Sequence, residues 1–109
     1  MSKRRIHNVD TNQAEIVQGL RKVGASVLSL ADVGKGCPDI LVGYRHRNFL
    51  MEVKNPKGKN ILGDDQKRWM HAWNGQVEVV RSLEEALILI GVKYKPVQIG
   101  ERKDNGNRD

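Results

Sequence analysis

Ile40-Leu41-Val42 is apolar on both faces of an extended chain, and this run constrains the fold more than any other feature. A strand that is apolar on both sides belongs in the interior of a sheet covered by other elements. Its continuation is informative too. Arg45-His46 reads as a hairpin tip, and Asn48 to Lys54 as the returning strand. In that strand Phe49, Met51 and Val53 alternate onto one face, while Leu50, Glu52 and Lys54 take the other. A carboxylate and an ammonium thus leave the same side of an otherwise apolar strand.

With an even loop centred on Arg45-His46, Asp39 lies opposite Glu52, and Leu41 opposite Leu50. Facing carboxylates repel when both are ionised, and a sequence avoids that pairing unless something cationic bridges it. A surface hairpin with both charged groups solvated is the alternative, and the continuous apolar run beside them argues against it. Two hard oxygen donors on neighbouring strands suit Mg²⁺ or Mn²⁺.

The other elements follow from period and punctuation. Asp10 or Asn12 is expected to cap a first helix, with Ile16, Val17, Leu20 and Val23 at helical spacing and a stop at Gly24. Ala25 to Leu30 reads as a strand, and Ala31 to Pro38 as a glycine-bearing loop. Asn55 to Gly63 is a further loop, leading to a helix from Asp64 to about Trp73 with Asp64 as its cap. Gln76 to Val80 is a strand, and Ser82…Glu85 opens a last helix. The order α-β-β-β-α-β-α, with a crossover before the last strand, predicts an α/β fold with a single mixed β-sheet flanked by helices. The expected domain spans residues 1–92 with a basic N-terminal segment, 1–8. Residues 93–109 are expected to form a polar, flexible C-terminal tail.

Charge and composition narrow the partners. Most of the net charge of +6 sits in residues 1–8 and 93–109, and between Gly34 and Asn60 lie Lys35, Arg45, Arg47, Lys54, Lys57 and Lys59 against only Asp39 and Glu52. That pattern suits a polyanion, although a solvated basic face is the plainer reading. Aromatic residues make up 5%, too few for a base-stacking single-strand platform. The longest apolar run, Ala86 to Ile90, is too short to span a bilayer, and no apolar segment follows the basic start, so neither a membrane partner nor a secretory leader is expected. One cysteine, Cys37, fits a reducing compartment and reads as a packing residue. The scattered histidines make a Cys/His zinc site improbable.

Gly36-Cys37-Pro38-Asp39, the strand Ile40-Leu41-Val42-Gly43-Tyr44, and Phe49-Leu50-Met51-Glu52-Val53-Lys54 together resemble the PD-(D/E)xK nuclease superfamily. Within it the chain is most similar to the VRR-NUC branch and related small phage proteins, where a loop and a glutamine-bearing helix follow the E-V-K strand, as Gln66 does here. The resemblance runs from about Asp10 to Ile90 and implies a restriction-endonuclease-like core. It implies that Asp39 and Glu52 hold Mg²⁺ or Mn²⁺ with the backbone carbonyl of Val53, and that Lys54 orients or deprotonates the attacking water or counters phosphate charge. Glu15 corresponds to an extra acid that reaches the metal through water, while Asn12…Glu15 also reads as a capping box.

Gln66 shares a helical face with Trp69, Met70 and Trp73, so its amide is expected to point inward and find a partner in the site or in a structural hydrogen bond. Trp69 and Trp73 read as core or subunit interface. Gly34 and Gly36 admit a close phosphate approach or a plain turn. The implied activity is phosphodiester hydrolysis leaving 5′-phosphate and 3′-hydroxyl ends. Lys35, Arg45, Arg47, Lys57 and Lys59 are candidates to track the DNA backbone. Small stand-alone proteins of this kind resemble Holliday-junction resolvases, which act as homodimers on branched DNA. A nicking or flap nuclease, and a non-catalytic DNA-binding module, use the same residues; an RNA-binding role is disfavoured. The resemblance suggests the cytoplasm of a bacterial or phage-infected cell.

Overall fold

The hairpin is the centre of the molecule. In the computed structural model, which describes residues 4–57 and 62–93, β2 (Ile40–Tyr44) and β3 (Arg47–Val53) are antiparallel, with Ile40 paired to Met51 and Leu41 to Leu50. This is the register expected from an even loop. Arg45 and His46 form its two residues, with φ of 53° and 66°. Both lie in the left-handed region that a two-residue type I′ hairpin demands, where Asn-Gly is the favoured pair.

β1 (Ser26–Ser29) pairs antiparallel with the outer side of β2, and β4 (Glu78–Val80) pairs parallel with β3. The four-stranded sheet has the order β1-β2-β3-β4. Helices α1 (Arg4–Lys22), α2 (Asp64–Ala72) and α3 (Leu83–Leu89) complete the expected sequence of elements. The parallel β3–β4 pair follows from the crossover through α2.

One face of the sheet carries the core. Ile40, Val42, Phe49, Met51 and Val80 pack with Ile16 and Leu20 of α1 and with Ala86, Leu87 and Ile90 around α3. Gly19 lets the two helices approach closely, because a Cβ there would collide with the side chain of Leu83. The opposite face is less complete. The cross-strand row Leu28, Leu41, Leu50 lies on it. Leu28 is 58% exposed, whereas Leu41 and Leu50 are half-buried beside a shallow cleft lined by Trp73 and Gln76.

Several boundaries differ from those read in the sequence. α1 begins at Arg4, so neither Asp10 nor Asn12 is its cap, and Asn12 lies mid-helix. Its end is as expected: Gly24 adopts φ of 96°, and Ala25 N–H donates to Leu20 O at 3.1 Å. α2 is capped at Gly63, which leaves Asp64 in the first turn. β4 is shorter than the apolar pattern suggested, because the Gln76 side chain takes the place of a backbone rung. Its Oε1 accepts from Leu50 N at 2.7 Å, and its Nε2 donates to Leu50 O at 3.0 Å. Ser82 caps α3 as expected, accepting from Glu85 N.

No helix among the described residues is long and apolar enough to cross a membrane. Lys59, residues 1–3 of the basic N-terminal segment, and the tail from residue 94 onward lie outside the described residues.

Candidate active site

Asp39 is the last residue before β2, and Glu52 the second-last residue of β3, so the hairpin register brings both to the same end of the sheet. Buried Pro38 precedes Asp39, whose carbonyl accepts from Leu30 N at 2.9 Å. The main chain is thus fixed before β2 begins. Asp39 Oδ2 accepts from Val53 N at 2.7 Å, which spans the two strands at the level of the carboxylates.

Glu52 is 3% exposed, the buried charged residue among the described core. Its Oε2 accepts from Gln66 Nε2 at 2.6 Å and lies 3.5 Å from Lys54 Nζ. Gln66 Oε1 in turn accepts from Lys54 Nζ at 3.1 Å and from Gly63 N at 3.0 Å. The amide therefore uses both ends, relaying between an acid and a base two residues apart at the end of β3. Burial, chiefly, and the neighbouring carboxylate of Asp39 push the Glu52 carboxyl up to about 7, and Lys54 only partly opposes them. The same burial, with Glu52 and Asp39, raises the Cys37 thiol. An inert packing role for Cys37 agrees with that direction.

Asp39, Glu52, Val53, Lys54 and Gln66 line a cavity of about 360 Å³, together with Asn12, Gln13 and Asn55. A cation fits the chemistry of its wall. Two carboxylates are held close enough to disfavour double ionisation, and one ammonium does not bring the buried one back to its ordinary value. The donors are hard oxygens, as Mg²⁺ or Mn²⁺ prefers. Among the described residues no group of three or more His, Cys, Asp or Glu is arranged to hold a metal. A cation here would complete its shell with backbone carbonyl and water, which Mg²⁺ accepts readily.

The structure brings together four of the residues singled out in the sequence: Asp39, Glu52, Lys54 and Gln66, with Val53 between them. Glu15 is not among them. With Ile16 and Leu20 turned into the core, Glu15 is exposed, and α1 lines the cavity through Asn12 and Gln13 instead. Gln66 reaches the site from the half-buried side of α2, which it shares with Trp69 and Met70. α2 has no buried residue, Trp73 is 45% exposed, and Trp69 and Trp73 stack on each other with centroids 4.7 Å apart.

The candidate phosphate-contacting residues scatter. Arg45 and Arg47 lie at the opposite end of the hairpin, roughly 20 Å from the carboxylates by strand rise. Arg47 is engaged in packing there, stacked over Phe49 at 5.1 Å and donating to Ile90 O at 3.4 Å. Lys35 and Lys57 are exposed on the loops nearer the site.

Two contributors were missed. The local sequence marks Asn12 only as a cap, whereas its side chain lines the cavity. Gly36, with φ of 85°, lies so close under α2 that a Cβ would collide with the backbone carbonyl of Asp65. The signal available for Gly36 was its place two residues before Pro38, which marks a turn but not what crosses it.

The fold is similar to that of nuclease domains of the PD-(D/E)xK type. Among solved structures the chain is similar to a VRR_NUC domain, a domain of that type, with 27% sequence identity and a TM-score of 0.53. The match covers 77% of this chain and 99% of that one. No family model matches the sequence, and neither does any curated protein.

Proposed function

We propose that this protein is a divalent-metal-dependent DNA endonuclease, with Asp39 and Glu52 holding Mg²⁺ or Mn²⁺ and the Val53 carbonyl assisting. One observation carries the reading: Glu52 is buried beside a second carboxylate, with Lys54 and Gln66 both directed at the same Oε2. A binding surface for a polyanion has no use for two facing acids in a cavity, whereas a cation that meets phosphate does. The likeness to a VRR_NUC domain supports the same class.

The bound cation would supply an acidified water and screen the phosphate during in-line displacement. Lys54, 3.5 Å from Glu52, acts first as a positive charge toward the phosphate. Gln66 fixes the directions of both Glu52 and Lys54. The exposed Lys35 and Lys57 would follow the DNA backbone past the cavity.

Within the endonucleases, branched DNA is the proposed substrate, with a junction-resolving homodimer as the acting form. Exposed Trp73 and Ile88 offer apolar surface for such a pair. The cytoplasm of a bacterial or phage-infected cell is the proposed setting.

The test is cleavage of a labelled four-way junction beside matched linear and nicked duplexes, with Mg²⁺, Mn²⁺ or EDTA. Paired symmetric incisions, abolished by EDTA and by Asp39→Ala, are expected. Equal cutting of plain duplex retains the nuclease and removes the junction preference, and a single-strand cut points to a nicking or flap enzyme. Tight binding without cutting in either metal makes the chain a DNA-binding module.

A further inference from the structure

Asn12 sits in the middle of α1, where asparagine is disfavoured relative to alanine and competes with the helix for backbone hydrogen bonds. Its side chain does something else. Nδ2 donates to Lys54 O at 2.9 Å and reaches Arg81 O at 3.4 Å. Lys54 and Arg81 are the first residues beyond the parallel strands β3 and β4, where carbonyls leave the sheet ladder and need donors. One amide from a third element thus binds the ends of both strands.

We infer that Asn12 is a positioning residue for Lys54, clamping its main chain so that Nζ stays on Glu52 and Gln66. The inference rests on the nuclease reading of the site. Lys54 N–H donates to Val80 O at 2.9 Å, so Asn12 completes the restraint of that residue by holding the peptide on its other side. With the main chain held at both its N–H and its C=O, the side chain has a fixed origin. Nζ then sits 3.5 Å from Glu52 Oε2 and 3.1 Å from Gln66 Oε1. Asn12 also lines the cavity itself, so its effect is exerted at the site and not across the core. Without it, residue 54 is the start of an exposed loop containing Pro56, and its direction is set by one hydrogen bond.

The test uses the full chain with Asn12→Ala and Asn12→Asp, the second keeping the shape but losing the donor. Amide exchange is read at Lys54 with Met51 as the core reference, and kcat and KM are read on the DNA substrate that wild type cleaves. Exchange at Lys54 is expected to accelerate about tenfold or more with Met51 unchanged. The kcat is expected to fall about 10- to 100-fold at unchanged KM, the range for supporting residues around metal sites. Unchanged exchange at Lys54 in either variant that folds overturns the clamp. Faster exchange at Lys54 and Met51 alike, or a loss confined to KM, overturns it too, since Asn12 would then be serving general stability or DNA binding. If wild type cleaves no DNA, the nuclease reading falls, and the exchange comparison alone decides whether Asn12 holds residue 54.

Discussion

Gln66 Nε2 donates to Glu52 Oε2 at 2.6 Å, and together with the bond from Lys54 Nζ to Gln66 Oε1 it ties α2 to the end of β3 at the site. The helix buries no residue of its own, so a polar contact with the hairpin does what an apolar stripe does elsewhere. Its loss should therefore be felt in chemistry more than in stability. Gln66→Ala is expected to lower metal-dependent cleavage about 10- to 100-fold. The melting temperature should change little, and amide exchange should rise across residues 64–72. A large drop in melting temperature would show that α2 belongs to the cooperative core.

Glu52 makes the stability of the metal-free protein depend on pH in a stated direction. Its carboxyl titrates at about 7 in the folded chain against an ordinary 4.5. The folded state therefore binds more protons between those values, and stability falls as pH rises from about 4.5 to 7, then levels. The span amounts to about 3 kcal/mol at most. Glu52→Gln should remove this dependence, leaving a protein inactive in cleavage and yet more stable than wild type at pH 8 in EDTA. Added Mg²⁺ should stabilise wild type and not the variant. Denaturant melts at pH 5 and pH 8, with and without Mg²⁺, check both halves.

Gly36 and Gly34 separate backbone strain from site assembly. Both have positive φ, but a Cβ at Gly34 meets nothing within 4 Å, whereas one at Gly36 collides with the backbone at Asp65. Alanine at either position should cost about 1 kcal/mol through the left-handed conformation. Only Gly36→Ala must also displace the first turn of α2, and Gln66 with it. Its cleavage defect should match that of Gln66→Ala, while Gly34→Ala stays near wild type. Equal activity in the two glycine variants would mean that α2 needs no close approach to the 34–38 loop.

The pair of carboxylates was legible in the sequence because alternation and an even hairpin loop fix which residues face each other. Nothing about Asp39 and Glu52 required knowledge of distant contacts. Asn12 was not legible for the opposite reason. Its partners, Lys54 and Arg81, are 42 and 69 residues away, and its local spacing to Glu15 matched a helix start. The strong local signal concealed a tertiary one. Gln66 fell between these cases. Its helix, its arrival at the site and its half-buried neighbours Trp69 and Met70 were foreseeable, but Trp73 at the end of that row is exposed and stacks on Trp69 instead of entering a core. Gln76 likewise ended a strand early by using its side chain as the last rung, which no hydrophobic pattern records.

Arg45 and His46 hold a turn for which their side chains are poorly suited. Both have positive φ without being glycine or asparagine, at a position where two such residues in succession are unfavourable. Arg45 stacks over Tyr44 at 5.4 Å, a contact that offsets part of this at an exposed site. Replacing the pair with Asn-Gly should stabilise the fold by about 1 kcal/mol, and the melting temperature should rise by about 4–8 °C. The site, at the other end of the strands, should be untouched, so cleavage of a short linear duplex is expected at the wild-type rate. Cleavage of a four-way junction is the sharper measurement. A DNA arm that reaches the hairpin tip would lose the contact of Arg45, and the KM for the junction alone would rise. An unchanged KM on both substrates would place the tip outside the DNA footprint and leave Arg45 and His46 with no role in binding.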